Sequence, residues 1–432
     1  MAKSSEKNVQ SVKGMRDILP EEHLLWEKFF SNFRELCNFY NFRLISTPLV
    51  EDVALFQKSS GEGSDVVDKE MYMVKAKGSS KQLALRPEGT ASVVRAYIQH
   101  GMKQQPHPVK LAYYGPFFRH DKPQFGRYRQ FYQIGLETFS AKNNPLYDAQ
   151  VILAAYRFLE SLKITGVVIQ INSIGCKACR PKYLKELVAY YKKHKKDICG
   201  DCKDRLAKNP LRLLDCKKDK CKEIKVGAPM TFENLCTECK GHFKSVLEYL
   251  EELQLPYNLN HTLVRGLDYY SKTVFEFTLE PVEGEESFEG LSLGGGGRYD
   301  YLVEMFGGKH TPAVGLALGI DRVLEVIKKR ELNIPTRPKD KVFLIHIGEL
   351  AKRKSLVLIE ELRKAKINVR EALGKESLGV QLKIADKLGV KLALIFGQKE
   401  AFEESIIIRN MATGAQETVP IRSLAKTIKK HI

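Results

Sequence analysis

The chain has 432 residues, of which 43% are hydrophobic, and this length is enough for a large buried core and at least one further domain. Its N-terminal sequence MAKSSEKNVQSVKG lacks the apolar stretch of a secretory signal, and no apolar run approaches the roughly 20 residues that span a bilayer. Nine cysteines without an export signal favour thiolate chemistry over disulfides, so we expect a soluble, cytoplasmic protein without a membrane partner.

The surplus positive charge, +18 in all, is concentrated in two segments. Residues 176–242 contain 18 lysines and arginines against 9 acidic residues, and residues 339–432 contain 19 against 11. The rest of the chain is close to neutral. A neutral body with two basic segments indicates a polyanion that is bound at its edges while the chemistry takes place elsewhere.

The first predicted elements are a loop over residues 13–20, a helix that begins at Glu21 and a strand over residues 42–49. Glu21 and Glu22 suit the positive end of a helix, and Pro48 stops the strand. Alone, this pattern is common to many α/β proteins.

Residues 83–90, LALRPEGT, predict a short strand and a turn before a helix over residues 91–100. Glu88 and Thr90 lie where the strand gives way to the helix. The Glu88 carboxylate is a candidate to bind an ammonium group, and a helix-capping carboxylate is the alternative.

Residues 113–137, YYGPFFRHDKPQFGRYRQFYQIGLE, predict an antiparallel hairpin with a long loop. Arg119 and Arg127 lie near the two ends of the loop, where their planar guanidinium groups could converge on a multiply charged anion. Strand alternation places Gln133 and Glu137 on one face. The alternative is a solvated basic hairpin.

A predicted helix over residues 145–162 and a strand over residues 167–172 precede the cysteine-rich segment. Eight of the nine cysteines form four close pairs: Cys176 with Cys179, Cys199 with Cys202, Cys216 with Cys221 and Cys236 with Cys239. This spacing lets two thiolates bind one tetrahedral metal. It predicts at least one structural zinc, in two four-cysteine sites or in one site with four free thiols, and leaves the pairing open. Buried, idle cysteines are the alternative.

A helix over residues 243–253 leads to the sequence LVRGLDYYSKTVFEF, residues 263–277. Arg265, Asp268, Tyr269 and Tyr270 fall in a predicted loop before a strand. The alternative is the end of a strand that faces the core. Such a strand end would not need Arg265 and Asp268 beside two tyrosines.

Four glycines, residues 294–297, allow a close approach of the backbone to a ligand, or form a flexible bend. Residues 312–327 predict an apolar strand that meets a helix at Gly319. Arg322 falls in the first turn of that helix, where the helix dipole disfavours a cation, so its position requires another reason. The chain contains no GxxxxGK[ST] sequence.

A linker over residues 329–340 precedes alternating strand and helix patterns. The predicted strands cover 342–347, 391–396 and 406–409, and the predicted helices cover 351–365, 376–388 and 421–430. They indicate a small α/β domain with a basic surface. A charged face without a bound partner is the alternative.

Residues 113–137 resemble motif 2 of the class II aminoacyl-tRNA synthetases, and their wording resembles the histidyl-tRNA synthetases closely. Residues 20–49 resemble motif 1, residues 312–327 resemble motif 3, and residues 263–277 resemble the motif particular to the histidyl-tRNA synthetases. The last domain resembles an anticodon-binding domain. The implied fold is α+β: an antiparallel sheet flanked by helices, with a small inserted domain and a C-terminal α/β domain.

The resemblance implies a homodimer through motif 1 that forms histidyl-adenylate from L-histidine and ATP with Mg²⁺. The histidyl group would then pass to the 3′-terminal adenosine of the histidine tRNA. The resemblance implies a catalytic domain in two parts, at residues 1–172 and 246–330. An insertion at residues 173–245 separates these parts and packs on the tRNA acceptor arm. A linker at residues 331–340 leads to an anticodon-binding domain at residues 341–432.

The resemblance also implies roles for single residues. At the reacting groups it places Arg119 and Arg265. For histidine it implies Glu88, Thr90, Gln133, Glu137, Tyr269 and Tyr270, and for ATP Arg119, Arg127, Phe131 and Arg322. Two features depart from the family: the cysteine pairs, and Asp121 at a position where motif 2 commonly has glutamate.

Two other functions fit parts of this pattern. A silent paralogue, such as the regulatory subunit of ATP phosphoribosyltransferase, shares the catalytic core but typically lacks the C-terminal domain and the full arginine set. An RNA-binding protein with zinc knuckles would explain the basic segments but not Arg265, Glu137 and the neutral core. Histidine-dependent pyrophosphate exchange distinguishes the enzyme from both.

Overall fold

The computed structural model describes residues 9–60, 66–75, 77–78, 80–122, 126–280, 288, 291–334 and 341–432. They form two compact units, Met1–Pro335 and Thr336–Ile432. Residues 335–340 of the predicted linker lie outside the described residues. No helix within the described ranges combines the length and the apolar character needed to cross a membrane.

The first unit contains an inserted helical segment between strands of its main sheet. Its α-helices are α1 Pro20–Phe39, α2 Val53–Ser60, α3 Thr90–Gln99, α4 Leu146–Ser161, α5 Arg180–Lys193, α6 Gly200–Lys208, α7 Asp219–Val226, α8 Thr237–Glu252, α9 Leu302–Met305 and α10 Ile320–Lys329. Its strands are β1 Arg43–Leu44, β2 Val50–Asp52, β3 Met73–Val74, β4 Leu83–Leu85, β5 Val109–Phe118, β6 Gln130–Phe139, β7 Val167–Ser173, β8 Tyr257–Leu259, β9 Ser271–Leu279, β10 Ser292–Arg298 and β11 Ala313–Gly319.

The main sheet has the strand order β1-β5-β6-β11-β10-β9-β7-β8. The six inner strands pair antiparallel, as predicted, whereas β1 joins β5 and β8 joins β7 in parallel at the two edges. A smaller sheet of β2, β4 and β3 precedes α3. The predicted antiparallel sheet with flanking helices is confirmed.

Helices α1 and α4 pack together on the sheet through aromatic side chains. Pro20 starts α1, which suits a residue without an N–H group. Trp26, Phe29 and Phe33 of α1 are buried, and the ring of Phe29 meets that of Phe158 edge to face at 4.9 Å between centroids. Each such ring stabilises the fold by about 1.5–3 kcal/mol through burial. Cys37, the one cysteine outside the pairs, is buried in this core.

Three predicted elements differ from the structure. The strand expected over residues 42–49 is limited to Arg43–Leu44, because the chain leaves the sheet before Pro48 and re-forms as β2. The helix expected over residues 243–253 begins at Thr237, in a polar stretch without apolar periodicity. The flexible-bend alternative for residues 294–297 is wrong, because these glycines lie inside β10, between β9 and β11.

The insertion, which we define as residues 173–245, leaves the sheet at the end of β7. It passes through α5, α6 and α7 and returns through α8 to β8. Helix α8 continues through residue 245, so the boundary at that residue stays a prediction.

The second unit has its own sheet, of order β13-β12-β14-β15-β16. Its strands are β12 Val342–His346, β13 Arg370–Glu371, β14 Leu392–Phe396, β15 Ser405–Asn410 and β16 Gln416–Pro420, and its helices are α11 Glu349–Lys364, α12 Leu378–Leu388, α13 Gln398–Phe402 and α14 Ile421–His431. The predicted α/β domain is confirmed. Strand β16 was not predicted from the sequence, because it is an exposed edge strand without an apolar face.

Candidate active site and cysteine clusters

A cleft of about 840 Å³ opens at one end of the central strands in the first unit. The hairpin β5–β6, the turn before α3, the loop before β9, strand β10 and the start of α10 all contribute to it. Ten of the eleven residues predicted for histidine and ATP line this cleft, namely Glu88, Thr90, Arg119, Arg127, Phe131, Gln133, Arg265, Tyr269, Tyr270 and Arg322. The structure therefore brings the predicted set together.

The eleventh residue, Glu137, lies in the wall behind Thr90. Its side chain is fully buried in β6 and accepts hydrogen bonds from Thr90 Oγ1, at 2.7 Å, and from the Tyr299 hydroxyl. A Cβ atom on Gly315 of β11 would lie 1.6 Å from Glu137 Oε2, so glycine leaves room for the carboxylate. Burial raises the pKa of Glu137 to about 8, against the hydrogen bonds from Tyr299 and Thr90, which lower it.

Glu88 both caps a helix and lines the cleft. Its Oε2 accepts a hydrogen bond from the Thr90 amide at 2.6 Å and its Oε1 accepts one from the Ala91 amide at 2.9 Å, so the capping alternative describes part of its role. Burial raises the pKa of Glu88, while those amides and the charge of Arg119 oppose the shift. A carboxylate thus lies beside a guanidinium, an arrangement complementary to the two charges of an amino acid.

Arg265 is held between a carboxylate and a glycine. It pairs with Glu276 of β9, and a Cβ atom on Gly295 would lie 2.8 Å from Arg265 Nη1. Burial lowers the pKa of Arg265, but the charges of Glu276 and Tyr270 outweigh it, and the net shift is upward. Arg265 therefore stays a cation in a partly buried position at the edge of the cleft.

The arginines of the cleft repel one another. Burial, followed by the charges of Arg127 and Arg119, lowers the pKa of Arg322 to about 10. Arg322 is held by main-chain oxygens, including Gly126 O at 3.1 Å from its Nε. Arg119 lies with its guanidinium carbon 5.4 Å from the centroid of the Phe131 ring. Clustered cations of this kind are suited to bind a polyanion, which relieves their repulsion.

Asp121 pairs with Arg127, with 2.8 Å between Oδ2 and Nη1. Its carboxylate therefore fixes one of the phosphate-binding candidates. The sequence alone leaves the role of Asp121 open.

Sequence reasoning missed several residues of the site. Tyr113 lines the cleft, Tyr299 donates to Glu137 behind it, and Glu276 pairs with Arg265. Asp321 accepts a hydrogen bond from the Tyr132 amide at 2.8 Å and one from Arg16 Nη2 at 3.1 Å. The sequence signal that could have identified Asp321 is its position directly before Arg322.

The eight paired cysteines form two clusters, which we call tetrads. The first tetrad is Cys176, Cys179, Cys236 and Cys239, and the second is Cys199, Cys202, Cys216 and Cys221. The sulfur atoms of each tetrad all lie within 4.8 Å of one another. The first cysteine pair in the sequence therefore shares a tetrad with the fourth pair, and the second pair shares one with the third.

The tetrads have the dimensions of a zinc site. Tetrahedral zinc–thiolate bonds of about 2.3 Å place the sulfurs roughly 3.8 Å apart. The Sγ–Sγ distance is 3.6 Å between Cys179 and Cys239 and 3.8 Å between Cys199 and Cys216. The donor set and its spacing therefore fit Zn²⁺.

The second tetrad lies beside the cleft. Cys216 lines the cleft itself, together with charged neighbours in the insertion, namely Asp201, Arg205, Arg212, Asp215, Lys217 and Lys218. One wall of the candidate active site is therefore supplied by the insertion.

Comparisons with known protein families agree with this geometry. The model of the family described as "Histidyl-tRNA synthetase" matches residues 14–178 and 212–323, and the model of the anticodon-binding domain matches residues 341–431. The interval between the two matched segments of the first model includes Cys199 and Cys202.

Similar proteins cover nearly the whole chain. A histidine–tRNA ligase of Dehalococcoides mccartyi is 43% identical over 424 residues, which are 98% of this chain and 100% of that protein. A histidine–tRNA ligase of Caldicellulosiruptor saccharolyticus is 42% identical over 426 residues, with 98% and 100% covered.

Among solved structures, apo histidyl-tRNA synthetase of S. aureus superposes with a TM-score of 0.81 at 33% identity, covering 98% of this chain and 100% of that one. An ATP phosphoribosyltransferase regulatory subunit/histidyl-tRNA synthetase of Bacillus halodurans shares the fold, with a TM-score of 0.62 at 20% identity over 90% and 99% of the two chains. The chain belongs to the histidyl-tRNA synthetase family, and its second unit is an anticodon-binding domain.

Proposed function

We propose that this chain activates L-histidine with ATP and transfers it to the 3′-terminal adenosine of the histidine tRNA. The observation that carries the proposal is one cleft that combines several arginines with two buried acidic side chains, Glu88 in its lining and Glu137 behind Thr90. A silent paralogue would not require this combination of acceptors and cations.

The histidine end of the cleft matches the polar groups of the amino acid. Glu88, Thr90 and Gln133 bind the α-amino group, and Glu137 with Tyr269 and Tyr270 binds the imidazole. The two imidazole nitrogens require one donor and one acceptor. A site built on such hydrogen bonds rejects apolar analogues by orders of magnitude, because its buried polar groups would be left unpaired.

The first step joins a carboxylate to a phosphate. An oxygen of the histidine carboxylate attacks the α-phosphorus of ATP, and pyrophosphate leaves with the electron pair of the bond that breaks. Arg119 and Arg265 offset the negative charge that develops on the α-phosphate oxygens. Arg127 and Arg322 bind the outer phosphates, and the ring of Phe131 stacks on the adenine.

Mg²⁺ would accompany the nucleotide and offset phosphate charge. Hard cations of this kind take oxygen ligands. The carboxylates of Asp121 and Glu276 line the cleft beside the arginines and fit that requirement.

The two basic segments bind the tRNA. The insertion contacts the acceptor arm, and the second unit contacts the anticodon. Lys217 and Lys218 of the insertion line the cleft, where phosphates of the tRNA 3′ end would pass.

We also infer two structural zinc ions, one in each tetrad. The insertion is small, and thiolate ligands to zinc supply folding free energy that a small apolar core lacks. Eight thiols committed to metal fit a reducing compartment, which we take to be the cytoplasm.

Dimerisation through motif 1 is part of the proposal. Its support is a group of exposed apolar side chains on α1, β1, β5 and the segment around β2, namely Phe39, Leu44, Leu49, Val50 and Tyr114. Sedimentation analysis should give twice the monomer mass, and a monomer at micromolar concentration would contradict this part.

The test of the function is the charging of histidine tRNA with labelled histidine. The wild-type chain should charge this tRNA, and Glu137→Gln should charge it about 100-fold more slowly or worse while the protein stays folded. Glu252→Gln, at an exposed position of α8 that does not line the cleft, is the matched control and should charge normally. Charging of a different tRNA, or of none, would contradict the proposal.

A further inference from the structure

The loop that carries part of the histidine pocket, residues 263–270, is held by the insertion. We propose that Asn209 is a positioning residue for histidine activation, acting through Asp268 of this histidine loop. The proposal rests on the proposed function. It assigns the insertion a role in the first reaction step, before any tRNA is bound.

The central contact is a hydrogen bond between distant parts of the chain. Asn209 Nδ2 donates to Asp268 Oδ2 at 2.7 Å, and the two residues are 59 positions apart. Burial raises the pKa of Asp268, whereas the Asn209 hydrogen bond and the charges of Arg212 and Arg180 lower it. The groups that stabilise its charged form therefore all come from the insertion.

Two further contacts hold the same loop. Arg212 lies against it, since a Cβ atom on Gly266 would be 3.6 Å from Arg212 Nη1. Arg180 donates to the main-chain oxygen of Tyr270 at the other end of the loop. Side chains of the insertion thus fix the middle and the end of the segment that carries Arg265, Tyr269 and Tyr270.

The tetrads fix these side chains in turn. Asn209 and Arg212 lie between Cys202 and Cys216, which belong to opposite pairs of the second tetrad, and Arg180 directly follows Cys179 of the first. Both tetrads are mostly buried. The insertion is therefore a clamp whose shape is set by the cysteine sites.

Asn209 acts through another residue, because neither Asn209 nor Asp268 lines the cleft. Displacing the histidine loop should disturb the pocket for histidine. The residues assigned to the adenine and the outer phosphates, Arg127, Phe131 and Arg322, lie outside this loop. A weakened clamp should therefore raise KM for histidine and leave KM for ATP nearly unchanged.

The test replaces Asn209 by a group that repels its partner. Asn209→Asp places a second carboxylate against Asp268, and we expect KM for histidine in ATP–pyrophosphate exchange to rise about tenfold, with KM for ATP within about twofold of wild type. The exchanged pair, Asn209→Asp with Asp268→Asn, restores one donor and one acceptor. It should return KM for histidine to within about threefold of wild type.

Two controls separate this effect from general damage. Asn258→Asp makes the same change at an exposed position of β8 and should leave both KM values unchanged. The metal content of Asn209→Asp, measured by mass spectrometry, should equal that of wild type.

Deuterium exchange gives a second readout that does not depend on activity. Amides of residues 263–270 should exchange faster in Asn209→Asp and recover in the exchanged pair. The proposal would be contradicted if Asn209→Asp left both KM for histidine and the deuterium exchange of residues 263–270 unchanged. It would also be contradicted if the double variant restored neither of these two quantities. Absence of histidine-dependent ATP–pyrophosphate exchange in the wild type would instead count against the proposed function.

Discussion

The hydroxyl of Thr90 donates a hydrogen bond of 2.7 Å to Glu137 Oε1, which joins the first turn of α3 to the C-terminal part of β6. Tyr299 donates to the other carboxylate oxygen. The pocket wall therefore has a fully buried acceptor whose two partners are neutral hydroxyl groups. Such a carboxylate gains stabilisation when a ligand brings it an N–H donor or a positive charge.

Replacing Glu137 by glutamine should remove most histidine activation. We expect kcat/KM for histidine in pyrophosphate exchange to fall by about 100-fold or more, because the imidazole loses the carboxyl group that accepts its N–H and buried polar groups stay unpaired. KM for ATP should stay near its wild-type value. Normal activation of histidine by this variant would show that the imidazole is bound elsewhere.

The same substitution should change how stability depends on pH. The pKa of Glu137 rises from 4.5 to about 8 on folding, so the folded state holds its proton more tightly than the unfolded state. Its contribution to stability is full below pH 4.5 and is lost as the pH rises through 8.

Between pH 5 and pH 8, the wild type should therefore lose up to roughly 4 kcal/mol more of its free energy of unfolding than Glu137→Gln does. Urea denaturation at the two pH values measures the difference. Equal losses in the two proteins would show that Glu137 keeps an ordinary pKa.

The purified protein should contain about two zinc ions per chain. Cys216→Ser and Cys239→Ser, which each remove one ligand from a different tetrad, should each lower the content to about one. Native mass spectrometry counts the ions directly. Loss of both ions from either variant would indicate that the tetrads are not independent, and four free thiols in the wild type would indicate a single site.

Arg16 should affect ATP binding from outside the cleft. It pairs with Asp321, the residue before Arg322, and with Glu22, at 3.1 and 2.8 Å. Arg16→Gln leaves the buried Asp321 carboxylate with a weaker partner, so we expect a loss of stability of about 2 kcal/mol and a several-fold rise in KM for ATP.

The matched control is Arg157→Gln, which removes an exposed ion pair with Glu160 and should cost less than about 1 kcal/mol. Denaturant unfolding and the ATP dependence of pyrophosphate exchange measure the two effects. Equal behaviour of the two variants would show that Arg16 does not support the site.

The parts of the site that the sequence predicted are those whose residues are close in the chain. Alternation and a Pro- and Gly-containing loop predicted β5 and β6, and with them the placing of Gln133 and Glu137. The turn before α3 and the loop before β9 were predicted in the same way. Local patterns report local geometry, and these segments carry most of the candidate residues.

Contacts across the fold were not predicted. Tyr299 reaches Glu137 from 162 positions away, and the cysteine spacing fixes each pair but not which pairs combine. The four glycines did not predict strand β10, because glycine is depleted in strands. In the structure, hydrogen bonds to β9 and β11 on either side keep this segment extended. The topology decides these features, and no local pattern encodes it.

The most direct measurement is ATP–pyrophosphate exchange with each of the twenty amino acids, using folded protein whose metal content is known. We predict exchange with histidine alone, and a loss of this exchange by about 100-fold or more in Arg265→Gln, since that variant lacks a cation that offsets the developing charge. Absence of exchange with every amino acid, or exchange with an amino acid other than histidine, would contradict it.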